Sequence, residues 1–242
     1  MTKLLPDRLP ARSALNPGDA DINLVNPTAA EGKYVRVDYD YIRQFCRRLH
    51  GNAKDEQILG DHDDGIAKPH PDAIDLYLHI GMANGMDYVT VERQAYRQDF
   101  SSTWWDRWQR PSGRLYYTSP DETGKTVDDA GPCPWFDAKV PIGLAPDFDI
   151  DTIVGSAKKL LTAGVPFRRD KREPIELKSH IEAGNYGCGF IYYESLANRF
   201  VQQKRKNVLF CHVPGELDKV SLEKARDAIV AVIVSTAATP LP

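Results

Sequence analysis

The sequence predicts an open α/β sheet with helices on both faces, and two observations support this prediction. Short runs with apolar residues at every second position alternate with longer segments whose apolar residues fall on one helical face. The 242 residues, 42% of them hydrophobic and 27% charged, are enough for one sizeable core. We therefore expect a single domain over residues 1–242, with residues 1–20 irregular.

The individual elements follow from local signals along the chain. The strongest strand is 73–81, in which every second residue is apolar and after which the sequence continues as GMANG. Helices are expected where a capping side chain precedes an apolar helical face. Strands are predicted at 21–25, 33–37, 73–81, 87–97, 174–179 and 207–214. Two helices are predicted with caps at Asp38 and Ser221, a third starts at Asp149 or Asp151, and a fourth runs from about Gly189 to Gln203.

Residues 100–148 form a segment of unusual composition. It is rich in Pro, Gly and Asp, shows little periodicity, and is too aromatic for a disordered linker and too long for a simple turn. We expect an elaborated loop region that packs against the body of the protein, in a position to cover a site. The segment contains all four tryptophans, Trp104, Trp105, Trp108 and Trp135.

Charge and local clusters argue against nucleic acid and metal as partners. The formal net charge is -3, so there is no excess of basic residues to hold a polyanion, and the short basic runs are interpreted as solvated faces. His62 lies among Asp61, Asp63 and Asp64, which is reminiscent of a metal site. Because these residues are all local to one polar segment, we predict a solvated loop and no metal.

Targeting signals and cysteine usage indicate the compartment. No apolar run approaches the ~20 residues that span a bilayer, and the N-terminal stretch MTKLLPDRLPARS has no apolar core of a signal peptide. The four cysteines lie far apart without a C-x-x-C pair, so we expect no disulfide framework. We predict a cytoplasmic protein with no membrane partner.

Three reactive side chains lie at the ends of predicted elements, where sites form in such sheets. Cys188 stands between Gly187 and Gly189 before a helix, and His212 and Glu92 each lie near the end of a strand. A helix N-terminus stabilises a thiolate and can hold an oxyanion, while the glycines allow a substrate carbonyl to approach the backbone closely. A Cys–His pair oriented by a carboxylate would form a nucleophilic site.

The residues alone leave structural interpretations open. A cysteine in a glycine turn is usually structural, His212 could be a hydrogen-bonded core residue, and Glu92 could form a surface ion pair with Arg93. Cys211 is a competing nucleophile. Strand alternation points it away from the side of His212 and its neighbours are apolar, so we expect it to be buried and inert. We assign no role to His79.

Three stretches resemble the motifs of one family. SHIEAGNYGCGFIYYESL resembles the cysteine motif of the pyroglutamyl-peptidase I (pyrrolidone-carboxylate peptidase) family, and FCHVP resembles its histidine motif. HIGMANGMDYVTVERQA resembles its glutamate motif, and KYVRVDYDYIRQF is similar to the region of its second helix. The motifs occur in the family's order, and the resemblance covers about residues 4–236.

The resemblance implies a single-domain α/β/α sandwich around a central mixed, mostly parallel sheet, and a cysteine peptidase that uses no cofactor. Such an enzyme removes N-terminal pyroglutamate (5-oxoproline) from peptides, which would be its partners. Cys188 would be the nucleophile, His212 the general base and then acid, and Glu92 the orienting carboxylate. Met82 and Gly187 would line the substrate-binding site. Self-association into a homo-oligomer stays open.

Several positions depart from the family's pattern. Met82 stands where many members have glutamine, and Gly189 where a polar residue is common. The chain also lacks the T-G-F-x-P-F turn near its start, whose phenylalanines form part of the pocket wall in the family. From this we expect a chain that starts late, without one inner strand and one pocket wall. A second hypothesis follows: a catalytically impaired, truncated relative that binds a peptide or a protein along an exposed sheet edge.

Overall fold

A four-stranded sheet lies at the centre of the fold. The computed structural model describes residues 2–25, 34–51, 73–98, 116–163, 173–215 and 218–239. The strands are β1 (Arg8–Leu9), β2 (Ile22–Asn23), β3 (Tyr77–Ala83), β4 (Val89–Glu92), β5 (Ala95–Tyr96), β6 (Gly143–Leu144), β7 (Leu177–His180) and β8 (Val208–Pro214). The α-helices are α1 (Tyr39–Leu49), α2 (Pro134–Asp137), α3 (Ile150–Thr162), α4 (Gly187–Val201) and α5 (Lys219–Ala238), and short 3-10 helices lie at Thr2–Leu4 and Val127–Ala130.

The order of strands in this sheet is β3, β8, β4, β7. The outer pairs, β3 with β8 and β4 with β7, are parallel, whereas β4 and β8 are antiparallel. The predicted mixed, mostly parallel sheet is therefore confirmed. Two small antiparallel ladders, β1 with β2 and β5 with β6, lie outside it.

Strand alternation separates the core into two layers. In β8, Leu209 and Cys211 pack in the layer that contains α3 and α5, while Phe210 packs in the layer that contains α1 and α4. Successive side chains of a strand point to opposite faces, so one apolar strand serves both layers. Helices thus cover both faces of the sheet, as the predicted α/β/α sandwich requires.

Aspartate side chains cap three of the helices. Asp38 accepts a hydrogen bond from the backbone N–H of Tyr41 at the start of α1, and Asp149 does the same from Thr152 at the start of α3. The prediction that Ser221 caps the last helix is wrong. Asp218 accepts from the backbone of Val220 and Ser221, so α5 begins one turn earlier, at Lys219.

The N-terminal third differs from expectation in two places. The strand predicted at 33–37 is absent over the described residues 34–37, because the Val37 carbonyl accepts from the N–H of Glu122, which lies in a loop. Residues 2–25 consist mostly of turns, but they include the β1–β2 ladder, and Leu9 is fully buried in the core. Within the described ranges, β3 pairs with β8 alone.

The described part of the segment 100–148 docks on the rest of the protein. The backbone N–H of Tyr39 donates to Asp121 at 3.1 Å, and the N–H of Tyr117 donates to the carbonyl of Asn185 at 3.1 Å. Trp135 is buried. The predicted packing against the body is thus present for residues 116–148. The other three tryptophans and the loop around His62 lie outside the described residues.

No helix in the described ranges combines the length and the apolar composition that crossing a bilayer requires. In the same residues, no cluster of three or more His, Cys, Asp or Glu side chains is arranged to hold a metal ion.

Candidate active site

Strand register brings the predicted histidine and carboxylate together. His212 of β8 lies opposite Gly81 of β3 and opposite Thr90 of β4. Glu92 follows Thr90 by two residues, so it lies on the same face and diagonal to His212. From the sequence we expected the site to form where strands end at a shared edge of the sheet. Instead, Glu92 and His212 meet because β4 and β8 are antiparallel neighbours.

Glu92 and His212 form a direct hydrogen bond. The distance between His212 Nδ1 and Glu92 Oε1 is 2.8 Å, and the Glu92 side chain is 0% exposed. An ionised carboxylate only accepts hydrogen bonds, so Nδ1 carries the hydrogen and Nε2 is left to face another partner. This is the tautomer that a histidine base needs.

The other neighbour of His212 is the Cys188 thiol, which lies close enough to act on the ring electrostatically. Burial disfavours the charged ring, but the hydrogen bonds and charges of Cys188 and Glu92 outweigh burial and raise the pKa of His212 to about 9. At neutral pH the ring therefore holds a proton that it can give away. The structure brings Cys188, His212 and Glu92 into one chain of contacts.

The Cys188 side chain, which is partly buried, lies against the sheet at a glycine. A Cβ atom added at Gly81 would stand 2.9 Å from Cys188 Sγ and 2.7 Å from Phe210 Cζ. Both distances are shorter than real Cβ contacts, so only glycine lets the thiol lie this close to β3 and β8. Gly81 therefore helps to place the sulfur atom beside His212.

The turn before the thiol is also closely packed. Gly184 adopts φ 83°, and Tyr186 is the extended N-cap residue of α4. A Cβ at Gly187 would lie 2.8 Å from Val37 Cγ1, and one at Gly189 would lie 1.9 Å from the Gly184 carbonyl oxygen. These glycines are thus required by contacts within the protein. The role of Gly187 in substrate binding remains a prediction.

Cys188 is the second residue of α4, so its backbone N–H is one of the groups left unpaired at a helix N-terminus. Such a group stabilises negative charge on a thiolate or on an oxyanion. The chain thus places a thiol, a histidine bound to a carboxylate and the backbone N–H groups of a helix N-terminus close together.

Met82 and Cys211 do not join this cluster. Met82 follows Gly81 in β3, so alternation directs it to the opposite face, where its side chain is 54% exposed. Its role in substrate binding remains a prediction. Cys211 is fully buried, and burial, followed by the charge of Glu92, raises the pKa of its thiol. The expectation that Cys211 is buried and inert is consistent with both observations.

Two further residues bind Glu92 and were not assigned to the site from the sequence. The Thr90 hydroxyl donates to Glu92 Oε1, and His180 Nδ1 lies 2.9 Å from Glu92 Oε2. His180 lies directly opposite Glu92 in the parallel β4–β7 ladder. Thr90 could have been found from its i, i+2 spacing to Glu92, but His180 could not have been found without the register.

A second pair of histidines lies in the same core layer. His50 Nε2 and His79 Nε2 lie 2.5 Å and 2.9 Å from Ser195 Oγ. Burial, together with nearby positive charges, lowers the pKa of His50 to about 2, and burial lowers the pKa of His79 to about 4. Both rings are therefore neutral, and His79 has a structural role where none was assigned.

The fold and the site define an α/β/α protein in which a cysteine, a histidine and a carboxylate meet on one face of a mixed sheet. The solved structure of pyrrolidone carboxyl peptidase from Thermococcus litoralis shares this fold. The TM-score is 0.50 at 14% sequence identity, over 84% of this chain and 74% of that chain. The resemblance to the pyroglutamyl-peptidase I family is thereby confirmed at the level of the fold.

Two further pyrrolidone carboxyl peptidase structures are similar to this chain. The enzyme from Pyrococcus furiosus gives a TM-score of 0.49 at 16% identity, covering 84% of this chain and 80% of that chain. The enzyme from Thermus thermophilus gives a TM-score of 0.47 at 16% identity, covering 88% of this chain and 87% of that chain. No family model matches the sequence, and no curated protein matches it.

Proposed function

We propose that this protein is a cysteine exopeptidase that removes N-terminal pyroglutamate from peptides in the cytoplasm. One observation carries the proposal: the chain of contacts from Glu92 through His212 to Cys188, at the N-terminus of α4. The shared fold with pyrrolidone carboxyl peptidases supports this substrate class. The mechanism uses neither a metal nor a cofactor.

In the first half of the reaction, Cys188 Sγ, whose proton has passed to His212 Nε2, attacks the carbonyl carbon of the pyroglutamyl group. The carbonyl oxygen becomes an anion, which the backbone N–H of Cys188 stabilises. The C–N bond then breaks, and His212 Nε2–H protonates the leaving amine. A thioester between Cys188 and the 5-oxoprolyl group remains. Throughout, Glu92 holds the Nδ1–H of His212 and stabilises the charged ring.

In the second half, His212 acts as the base. Its Nε2 takes a proton from water, and the oxygen attacks the thioester carbonyl. The C–S bond breaks, 5-oxoproline leaves as the free acid, and the sulfur regains its proton from His212. A pKa of about 9 keeps His212 protonated near neutral pH, which suits its role as the acid that protonates the leaving amine, and the ring becomes a base only after it has given that proton away.

The test is hydrolysis of pyroglutamyl-aminomethylcoumarin, with prolyl-aminomethylcoumarin as the substrate that lacks the ring carbonyl. We expect turnover of the first substrate only, and a loss of at least about 10³-fold in Cys188→Ser. Cys133→Ser is the matched control and should keep its activity, since Cys133 packs in the core layer outside the cluster of Cys188, His212 and Glu92. A folded protein that hydrolyses neither substrate contradicts the proposal.

The second hypothesis keeps one observation in its favour. Within the described residues, β3 has a ladder partner on one side only, and an unpaired edge is a site where an extended peptide adds as a further strand. If the folded protein is inactive, saturable binding of pyroglutamyl peptides without turnover would favour this impaired binding module.

A further inference from the structure

The carboxylate of Glu92 is shared by two histidines, of which the proposed mechanism uses one. His212 Nδ1 binds Oε1 at 2.8 Å, and His180 Nδ1 binds Oε2 at 2.9 Å. The Glu92 side chain is 0% exposed, so water does not reach either oxygen and both depend on donors from the protein. Oε2 has His180 as its donor in the described structure.

The hydrogen on His180 is placed by its neighbours. Its Nδ1 also lies 2.8 Å from the backbone carbonyl of Glu182. A carboxylate and a carbonyl both accept hydrogen bonds, so this nitrogen carries the hydrogen and shares it between the two. The N–H is present in both the neutral Nδ1–H ring and the protonated ring. The contact with Glu92 therefore persists on both sides of the titration of His180.

The position of His180 is fixed by elements that do not belong to the cysteine turn. It is the last residue of β7, and its carbonyl accepts from the N–H of Arg93 at 2.9 Å. The side chain of Glu182 accepts from the Tyr116 hydroxyl at 2.6 Å, which anchors the loop that supplies the second acceptor. His180 is thus held on the side of Glu92 that faces away from His212.

We propose that His180 is a positioning residue that fixes the rotation of the Glu92 carboxylate and so directs Oε1 at His212. A carboxylate held at one oxygen only can turn about its terminal torsion, which has a broad profile. A donor on the second oxygen removes this freedom. The role rests on the proposed peptidase function, because it acts on the group that orients the histidine.

Electrostatics is consistent with this geometry. Burial lowers the pKa of His180, but its hydrogen bonds to Glu92 and to the Glu182 carbonyl and the charge of Glu92 outweigh burial and raise it. The positive charge of His212 opposes this rise. The nearby Arg93 is directed to Asp151 and Ser179. The two histidines therefore share one negative charge.

The test compares His180→Asn with His180→Leu, two side chains of nearly equal shape. The amide of asparagine can place an N–H close to the position of Nδ1, whereas leucine has no donor. We expect His180→Leu to lower kcat about tenfold with KM changed less than about twofold, since a buried charged acceptor loses its donor. We expect His180→Asn to stay within about threefold of wild type. The ring is nearly half exposed, with 47% of its side-chain area accessible, so both variants should fold.

A second readout separates positioning from general stability. Both variants remove the charge of His180, so the comparison between them isolates the donor: the titration of His212, followed by NMR of isotope-labelled histidine, should lie at lower pH in His180→Leu than in His180→Asn. Equal kcat and equal titration in all three proteins would overturn the proposal. It would also be overturned if asparagine lost as much activity as leucine, because a donor would then have no effect.

The two proposals fail in different ways. If wild type hydrolyses no pyroglutamyl substrate, the proposed function fails, and the role of His180 is then judged from the His212 titration and from alkylation of Cys188 by iodoacetamide, quantified by peptide mass spectrometry. Slower alkylation in His180→Leu than in His180→Asn supports the positioning role. Equal rates, together with an unchanged titration, contradict it.

Discussion

Two pairs of histidines lie in the same layer of this protein, and each pair shares one side-chain oxygen group. His212 and His180 bind the carboxylate of Glu92, and the pKa of each is raised. His50 and His79 bind the hydroxyl of Ser195, and the pKa of each is lowered. Burial disfavours the charged ring in all four cases, so the partner decides the outcome.

The chemistry of the partner explains the difference. A carboxylate accepts two N–H groups and its charge stabilises a cation, whereas a hydroxyl carries no charge that could offset the burial of a protonated ring. The Phe210 ring lies near both pairs, with its centroid 4.9 Å from that of His212 and 6.4 Å from that of His79. Neighbouring histidines therefore differ in charge: the pKa of each ring of the first pair is raised, whereas the rings of the second pair are neutral and link α1, α4 and β3.

The largest effect on kcat is expected from removing the negative charge of Glu92, which accepts from both histidines of the first pair. Glu92→Gln keeps the shape of the side chain but not its charge, so the pKa of His212 should fall from about 9. We expect kcat on pyroglutamyl-aminomethylcoumarin to drop roughly 10³-fold. Glu176→Gln, which changes an exposed carboxylate bound to Lys178, is the control and should be neutral. A Glu92→Gln enzyme with more than a tenth of wild-type kcat would show that the carboxylate does not act on His212.

The second pair, His50 and His79, should make the free energy of unfolding depend on pH below neutral. His79 binds a proton near pH 6.5 in the unfolded chain but only near pH 4 in the folded protein, so the unfolded state holds more protons between these values. The stability that neutral His79 contributes is present above pH 6.5 and is lost as the pH falls towards 4. The loss amounts to about 3 kcal/mol.

Urea unfolding between pH 7 and pH 5 measures this slope. His79→Phe removes the titrating group but keeps an aromatic ring, so its free energy of unfolding should fall less steeply with decreasing pH than that of wild type. Parallel curves for the two proteins would mean that His79 is already protonated in the folded state.

The smallest effect concerns the hydroxyl that supports Glu92. Thr90 is buried and donates to Glu92 Oε1. Thr90→Val has nearly the same shape without the donor, and we expect kcat to fall by about three- to tenfold. Thr90→Ser retains the hydroxyl and should lie closer to wild type. If valine and serine behave alike, packing at this position matters more than the hydrogen bond.

Alternation along strands predicted much of the fold, because each strand has to divide its residues between two faces. It separated Cys211 from His212 and identified 207–214 as a strand, but the predicted strand 73–81 begins only at Tyr77 and extends to Ala83. The cysteine, histidine and glutamate were singled out by their places at the ends of predicted elements, and the family motifs then suggested their roles. Helix starts were less certain, since Ser221 and Asp218 are equally good caps in sequence.

Contacts that depend on register or on distant segments could not be predicted. His180 meets Glu92 because β4 and β7 are aligned at these two residues. The Ser195 cluster joins α1, β3 and α4 across separations of 145 and 116 residues. No local pattern reports which residues will be neighbours at such separations, because the pairing is decided by how whole elements pack.

The contact between Gly189 and Gly184 limits how this chain can evolve. Because the space for a side chain at position 189 is occupied by the backbone of position 184, any replacement there requires the turn before Cys188 to change at the same time. The geometry of the turn that presents the thiol is therefore tied to the absence of a side chain one residue beyond it.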